Sequence, residues 1–226
     1  MDLLCKKSGC EDMIRIAQFP PPASYAQRVK IPGENFLARN PHPTNKEFNK
    51  HSYWRRMHED LHTLYAGICA YCASWTPRNS STTNDRSTVD HFIPKSVSPI
   101  MAYQWENFRL CRSRINANKG INLKVMDPFH VDNGWFQIDF LTFMVVASPT
   151  SSQIVFDRVT DSIRILCLND NDYVNERVEV IRRYCLDIIT FDNLRENWPF
   201  IASEILRVNF DMTLKEMMRE YFATRP

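Results

Sequence analysis

Residues 87–120 concentrate side chains that can bind a metal ion, transfer a proton or hold a phosphate. Asp90 and His91 are adjacent and follow two β-branched residues, so we expect them at the end of a short strand. A carboxylate is a preferred ligand of Mg²⁺, and an imidazole with an ordinary pKa of about 6.5 can take a proton from water near neutral pH. The pair therefore predicts a centre that can generate a nucleophile.

Further polar residues follow in the same segment. Asn107 precedes the apolar residues of a second predicted strand, and Asn116 and Lys119 have the spacing of neighbours on one helical turn. An amide oxygen can complete the coordination of a hard cation, and an ammonium one turn later can contact a phosphate. A strand, a turn, a second strand and a helix that carry these groups would form a one-metal phosphodiesterase centre.

This ordered set of residues resembles the active-site motif of the HNH endonucleases, which have a ββα-metal fold. In that family an Asp-His pair lies on the first strand, an Asn precedes an apolar pair in the loop, and a His or Asn comes one turn before a Lys on the helix. The matching residues here are Asp90, His91, Asn107, Asn116 and Lys119. Each element has little specificity by itself, whereas the ordered set within residues 69–120 is fairly specific.

The resemblance implies a role for each of these residues. His91 would be the general base for the attacking water, and Asp90 and Asn116 would hold one Mg²⁺ or Mn²⁺ ion. Asn107 would orient the loop that carries His91, Lys119 would contact a phosphate, and the products would carry 5′-phosphate and 3′-hydroxyl ends. Taken singly, structural roles explain each residue better, for example a hydrogen-bonded pair, a helix cap or a surface charge. The nuclease interpretation therefore rests on their combination.

Two cysteines raise the question of a structural zinc ion. Many HNH proteins carry two CxxC pairs that bind zinc, and Cys69 and Cys72 match the first pair. The positions of the second pair hold Arg112 and Ile115, and Cys111 lies one residue away. Because a closed tetrahedral site needs four ligands, the pattern predicts a degenerate knuckle and leaves Zn²⁺ open. Catalysis does not depend on it, since the resembling HNH domains of RNA-guided CRISPR nucleases lack such cysteines.

Basic residues crowd the proposed site and predict a surface for the phosphate backbone of nucleic acid. They are Arg109, Arg112, Arg114, Lys119 and Lys124. The family resemblance implies double-stranded DNA as the substrate. A solvated helix face is the alternative interpretation, because basic residues are common on surface helices.

Two alternatives to an independent nuclease are open. One is a catalytically silent HNH-fold subunit that binds nucleic acid or acts as a scaffold. The other follows from a looser resemblance of the CAYC, VDHFIPKS and Trp-Glu-Asn segments to the HNH subunits of bacterial anti-phage systems, such as Septu-type nucleases that work with an ATPase. That resemblance implies an effector that is active only with a partner ATPase.

The composition is that of a protein with an ordinary hydrophobic core. The chain has 226 residues, 44% of them hydrophobic, and a formal net charge of +2, which argues neither for nor against nucleic acid. The longest apolar run, residues 140–147, is too short to span a bilayer, and the first residues lack the order of a signal peptide. The cysteines do not form a secreted disulfide framework. We therefore expect a cytoplasmic protein with no membrane partner.

The predicted fold class is α+β, with a ββα-metal core between two flanking regions. Residues 1–43 contain several proline breakers and predict an extended N-terminal arm. Residues 44–126 would form the HNH core. Residues 127–226 would form an α/β extension that packs on the core or on a partner.

Helix signals precede the core motif. Thr44 and Glu47 have the spacing of a capping box, which satisfies free amide hydrogens of a first helical turn. Apolar residues at helical spacing follow from Trp54 to Leu64. Together they predict one continuous helix that leads to Cys69.

The patterns after the core motif predict strands and then helices. Residues 135–146 and 153–160 predict a hairpin or small sheet. A stripe of apolar residues between 174 and 188 predicts a helix that faces the core. Pro199 can begin a further helix, and Thr213 begins a second capping-box pattern.

Overall fold

Two small antiparallel sheets organise the chain, and helices pack around both of them. This computed structural model describes residues 16–79 and 86–224. In the first sheet β1 (Ser87–His91) pairs with β2 (Phe108–Arg112), and in the second β3 (Phe136–Asp139) pairs with β4 (Met144–Ala147). The predicted α+β class is therefore confirmed.

The helices fall into two groups, one before and around the first sheet and one after the second. The first group is α1 (Ile31–Arg39), α2 (Asn45–Lys50), α3 (His58–Leu64) and α4 (Ser113–Lys119). The second group is α5 (Gln153–Leu166), α6 (Asn171–Cys185), α7 (Phe191–Asn197), α8 (Pro199–Arg207) and α9 (Met212–Ala223). Short 3₁₀ turns occupy Tyr53–Met57, Pro99–Tyr103, Trp105–Asn107 and Pro128–His130.

The segment before residue 44 is partly helical, whereas the sequence predicts an extended arm. A π-helical turn, Ala26–Lys30, leads into α1, and Val29 and Phe36 are buried among aromatic side chains. Pro32 lies in the first turn of α1, where a missing N–H costs nothing because such an N–H has no partner within the helix. Proline is therefore accommodated at the start of a helix where the pattern predicts a break. Residues 1–15 of the predicted arm lie outside the described residues.

The capping box at the start of α2 is confirmed. The Glu47 carboxylate accepts a hydrogen bond from the Thr44 backbone N–H at 2.7 Å, and the Thr44 hydroxyl accepts one from the Glu47 N–H at 3.3 Å. The predicted continuous helix is nevertheless interrupted after α2. His51 Nδ1 bonds the carbonyl of Glu47, and its ring stacks on Phe36 at 4.1 Å between centroids. With His51 held in this way the chain leaves the helix after Lys50, and α3 begins only at His58.

The core sheet places the motif residues in the predicted order. Asp90 pairs in register with Arg109, and His91 pairs with Phe108. The chain passes from β2 directly into α4, which packs on both strands through the buried Ile115. The second strand begins at Phe108, because the preceding residues form a 3₁₀ turn.

Two hydrophobic clusters fill the interior. One joins the N-terminal helices to β1 and β2 and is rich in aromatic residues, among which Phe48 and Tyr103 are completely buried. The other joins core residues such as Cys69 and Ile115 to the hairpin and the C-terminal helices. The C-terminal extension therefore packs on the core, one of the two arrangements that the sequence predicts.

A hairpin follows the core, but both of its strands come from the region predicted as the first strand, and the second predicted strand is a helix. The hairpin consists of β3 and β4, whereas residues 153–160 belong to α5. The Ser152 hydroxyl caps α5, and Val159, Ser162 and Leu166 are buried at helical spacing. The β-branched residues in the first turns favour a strand locally, and the burial of one helical face overrides that preference.

The C-terminal helices follow the predicted order with shifted details. In α6, Ile181 and Cys185 are buried as predicted, whereas Ile188 lies beyond the helix end and is exposed. α8 begins at Pro199 as predicted. α9 is capped by Asp211, two residues before the predicted Thr213, because the Asp211 carboxylate accepts a hydrogen bond from the Leu214 N–H at 2.9 Å.

Candidate active site

Asp90, His91 and Asn116 line one open cleft with a volume of about 790 Å³. Its walls come from α2, the 3₁₀ turn before α3, β1 with the loop that follows it, and α4. The strand–strand–helix order of the core brings these side chains together, although Asn116 lies far from the pair in sequence. Asn107 and Lys119 do not line the cleft and lie behind its wall.

His91 is held as a neutral base. Its Nε2 lies 2.8 Å from the carbonyl oxygen of Ala102, which can only accept a hydrogen bond, so the ring proton is on Nε2. Burial, together with the nearby cations of Lys95 and Lys119, lowers the pKa of His91 to about 3. The lone pair therefore lies on Nδ1, which bonds to none of the other described residues. This nitrogen can accept a proton in the cleft.

Asp90 is a buried carboxylate held by two donors. The Tyr71 hydroxyl donates to one of its oxygens at 2.6 Å, and the Lys119 ammonium donates to the other at 3.1 Å. Burial raises the pKa of Tyr71 well above its ordinary value, so the phenol keeps its proton and donates. These contacts fix the position of the Asp90 carboxylate.

Lys119 stabilises Asp90 instead of facing the cleft. Its side chain is completely buried, and its ammonium also donates to the carbonyl oxygen of His91 at 2.8 Å. A phosphate in the cleft has no access to this buried ammonium. The structure therefore places Lys119 in the support of the Asp90-His91 pair, and its phosphate contact stays a prediction.

Asn107 clamps the loop that follows His91. Its Oδ1 accepts a hydrogen bond from the Ile93 N–H at 2.7 Å, and its Nδ2 donates to the carbonyls of Ile93 and Met101 at 2.9 and 3.0 Å. The next residue after Met101 is Ala102, whose carbonyl fixes the His91 ring. Asn107 thus holds this loop through three hydrogen bonds.

None of the five basic residues predicted for nucleic acid lines the cleft. Three of them form ion pairs with carboxylates near or within the C-terminal extension: Arg109 with Asp127, Arg112 with Glu176, and Arg114 with Asp170 and Asp172. Lys124 is exposed but does not line the cleft. These arginines therefore attach the extension to the core and do not line the cleft beside His91.

Other basic residues line the cleft instead. They are Arg55, Arg78, Arg86 and Lys95. Among the described residues of the lining, Asp90 is the sole carboxylate, and Lys119 neutralises it. Lys95 belongs to the same sequence segment as His91, so its position could have been found from the motif. The arginines come from separate segments that only the folded chain brings together.

The cleft offers two oxygen donors to a cation. The Asn116 side chain bonds to none of the other described residues, and each Asp90 oxygen accepts a single hydrogen bond, so both groups keep acceptor sites. Mg²⁺ in phosphoryl-transfer sites is typically held by one or two carboxylates, waters and substrate phosphate oxygens. This donor set fits such a hydrated ion, while the Lys119 cation beside Asp90 lowers the attraction for it.

Cys69 and Cys72 lie close to Cys111, which belongs to β2. Cys69 Sγ accepts a hydrogen bond from the Arg112 N–H at 3.4 Å, and burial raises the pKa of Cys69 to about 12, so the thiol keeps its proton. A structural zinc site needs four ligands, and the described residues supply no fourth one here. Among the described residues, no group of three or more His, Cys, Asp or Glu side chains is arranged to hold a metal ion.

Neither a protein-family model nor a curated protein sequence matches this chain. In the described part of the chain, no helix is long and apolar enough to cross a membrane. A functional proposal therefore rests on the residues of the cleft and on the contacts that hold them.

Proposed function

We propose that this chain is a metal-dependent endonuclease of the HNH type, with β1, β2 and α4 as its ββα-metal core and double-stranded DNA as its substrate. The observation that carries the proposal is the neutral His91, whose Nε2 is fixed by a carbonyl and which lines, together with Asp90, a cleft that also contains basic side chains. A base, an oxygen donor set and positive charge are the three requirements of phosphodiester hydrolysis.

The reaction begins with a water molecule in the cleft. His91 Nδ1 takes a proton from this water as its oxygen attacks the phosphorus, and the bond to the 3′-oxygen breaks. The leaving oxygen takes a proton from solvent, so the products are a 5′-phosphate and a 3′-hydroxyl. The pKa of His91 is low in the free protein, and the negative charge of a bound phosphate opposes that shift.

Asp90 and Asn116 are the residues that would hold one Mg²⁺ or Mn²⁺ ion. When bound, such an ion supplies positive charge to a phosphate oxygen and to the leaving oxygen. Tyr71 and Lys119 keep the Asp90 carboxylate in place. Asn107 keeps the loop of Ala102 at the distance that orients His91.

The decisive experiment is a plasmid-cleavage assay with the purified chain. Mg²⁺ or Mn²⁺ should produce nicked or linear DNA, EDTA should prevent it, and His91→Ala should lower the rate by about 10²–10⁴-fold, the usual contribution of a general base. His42 is exposed and outside the cleft, so His42→Ala is the matched control and should cut like the wild type. Equal cutting by His91→Ala and wild type would remove His91 from the mechanism.

The Asp90–Lys119 pair favours a second candidate function. Because Lys119 already neutralises Asp90, the isolated chain has a reduced attraction for a cation. A chain that binds duplex DNA but neither binds Mn²⁺ nor cuts would be a silent HNH-fold subunit or an effector that needs a partner such as an ATPase. Calorimetric titration of Mn²⁺ into wild type and Asp90→Asn separates these outcomes from the nuclease.

A further inference from the structure

Lys95 is a cation in the cleft that has no acidic partner in the described part of the chain. It lines the same wall as Asp90 and His91, and its side chain is half-buried. Its ammonium lies 5.4 Å from the centroid of the Trp54 ring. The ring stabilises a cation but carries no net charge, so it does not neutralise Lys95. Among the described residues no carboxylate forms an ion pair with it. This charge is therefore available to an anion in the cleft.

The backbone around Lys95 is fixed. The carbonyl of Pro94 accepts hydrogen bonds from the N–H groups of Val97 and Ser98 at 2.9 and 3.0 Å, so the chain turns directly after Lys95. The start of this loop is clamped by Asn107 through both backbone polar groups of Ile93. The turn and the clamp hold Lys95 and His91 on the same short, braced segment.

The other cations near His91 are less suited to contact a phosphate beside it. Lys119 is buried and bound to Asp90, and Arg78 is paired with Glu59 on the outer part of the cleft. Arg55 is exposed. Lys95 is close enough to His91 for its charge to lower the pKa of that ring, and burial lowers the pKa of Lys95 itself. The negative charge of a phosphate between Lys95 and His91 would oppose the lowering of both pKa values.

We propose that Lys95 binds the phosphate that is presented to His91, the role that the sequence pattern assigns to Lys119. The proposal rests on the proposed function, because it takes the phosphodiester of duplex DNA as the ligand. It adds one phosphate-binding residue to a site that the motif residues describe only in part.

The first test measures DNA binding without catalysis. A fluorescent duplex is titrated with the full chain in EDTA, at several salt concentrations, for wild type, Lys95→Gln, Lys95→Arg and Lys30→Gln. Loss of one phosphate contact should weaken binding by roughly three- to tenfold and reduce the slope of log affinity against log salt by about 1. Lys95→Arg should retain most of the affinity. Lys30 is exposed outside the cleft, so Lys30→Gln should bind like the wild type.

The second test locates the contact directly on the wild-type chain. Lysines are acetylated briefly with and without the duplex, and the modified peptides are quantified by mass spectrometry. Bound duplex should slow acetylation of Lys95 several-fold and leave Lys30 unchanged. Equal acetylation of Lys95 with and without saturating duplex, together with normal binding by Lys95→Gln, would overturn the assignment.

The two proposals fail in different ways. If the duplex binds and protects Lys95 but Mg²⁺ and Mn²⁺ give no cutting, the nuclease proposal fails and the Lys95 contact stands. If the wild type cuts DNA while Lys95→Gln binds and cuts normally, the nuclease stands and the Lys95 contact is wrong. If the duplex neither binds nor is cut, both proposals are wrong.

Discussion

The core presents two basic surfaces that differ in how their charges are paired. In the cleft, Lys95 has no acidic partner among the described residues, and Asn116 has no hydrogen-bonding partner among them. Outside the cleft, Arg109, Arg112 and Arg114 each bind a carboxylate of residues 127–226. The number of basic residues is similar on both surfaces. What distinguishes a binding surface from a structural one is therefore whether the chain has already supplied the counter-charge.

The paired surface explains why the extension adheres to the core. The Arg109 side chain is 2% exposed, meets both oxygens of Asp127, and lies 3.6 Å from the centroid of the Phe129 ring. A bidentate pair of this kind fixes the relative orientation of the two side chains in addition to neutralising their charges. The extension is thus joined to β2 by ion pairs as well as by the shared hydrophobic cluster.

The largest expected effect comes from removing the buried ammonium that supports the cleft. Lys119→Met leaves Asp90 buried with Tyr71 as its remaining donor, and breaking a buried pair costs about 3–5 kcal/mol of unfolding free energy. Urea denaturation followed by circular dichroism measures this loss. Lys30→Met, at an exposed position, should change the stability by less than ~0.5 kcal/mol. A stable Lys119→Met protein that has lost only DNA affinity would instead support the phosphate contact that the sequence predicts.

A somewhat smaller effect concerns the pH dependence of stability. The pKa of His91 falls from 6.5 to about 3 on folding, so the unfolded chain binds a proton that the folded chain excludes between those values. Stability should be complete above about pH 6.5 and should decline by roughly 2–4 kcal/mol as the pH falls toward 3, less than the full shift implies because buried sites relax. Denaturation at several pH values measures the slope.

The matched variant for this measurement is His91→Gln, which can still donate to the Ala102 carbonyl but cannot titrate. It should lose most of the slope between pH 6.5 and about 3 that His91 contributes. Carboxylates in ion pairs also lose stability at low pH, so the comparison of the two proteins carries the result. Identical slopes would mean that His91 binds a proton as readily in the folded chain as in the unfolded chain.

Local sequence signals predicted the parts of the fold that depend on neighbouring residues. The capping box at Thr44 and the strand order around Asp90 are of this kind. The helix over residues 26–39 was missed because Pro32 and Gly33 are breakers in most contexts. A Cβ at Gly33 would lie 2.2 Å from Cγ of Tyr103, so this glycine allows α1 to approach the core closely. Because that contact joins segments far apart in the chain, no pattern in the neighbouring sequence predicts it.

The candidate site shows the same contrast: the sequence predicts which residue types occur there, but not which partners they bind. The motif identified Asp90, His91, Asn107 and Asn116 by type and spacing, and the structure places them at the cleft or in its support. The charge pattern could not separate Lys119, which is buried against Asp90, from Lys95, which faces the cleft. Ion pairs form between segments far apart in sequence, so composition counts the cations but does not tell which ones are already neutralised.

The smallest effect directly compares the two surfaces. Arg114 pairs with Asp170 and Asp172 near solvent, so Arg114→Gln should cost about 0.2–1 kcal/mol of stability and leave duplex binding unchanged. Lys95→Gln should show the opposite result, with weaker binding and stability within ~0.5 kcal/mol of the wild type, because Lys95 forms no ion pair with the described residues. Both variants remove one positive charge, so net charge cannot explain a difference between them. If Arg114→Gln weakened duplex binding as much as Lys95→Gln, the paired surface would also contact DNA and its ion pairs would have to open on binding.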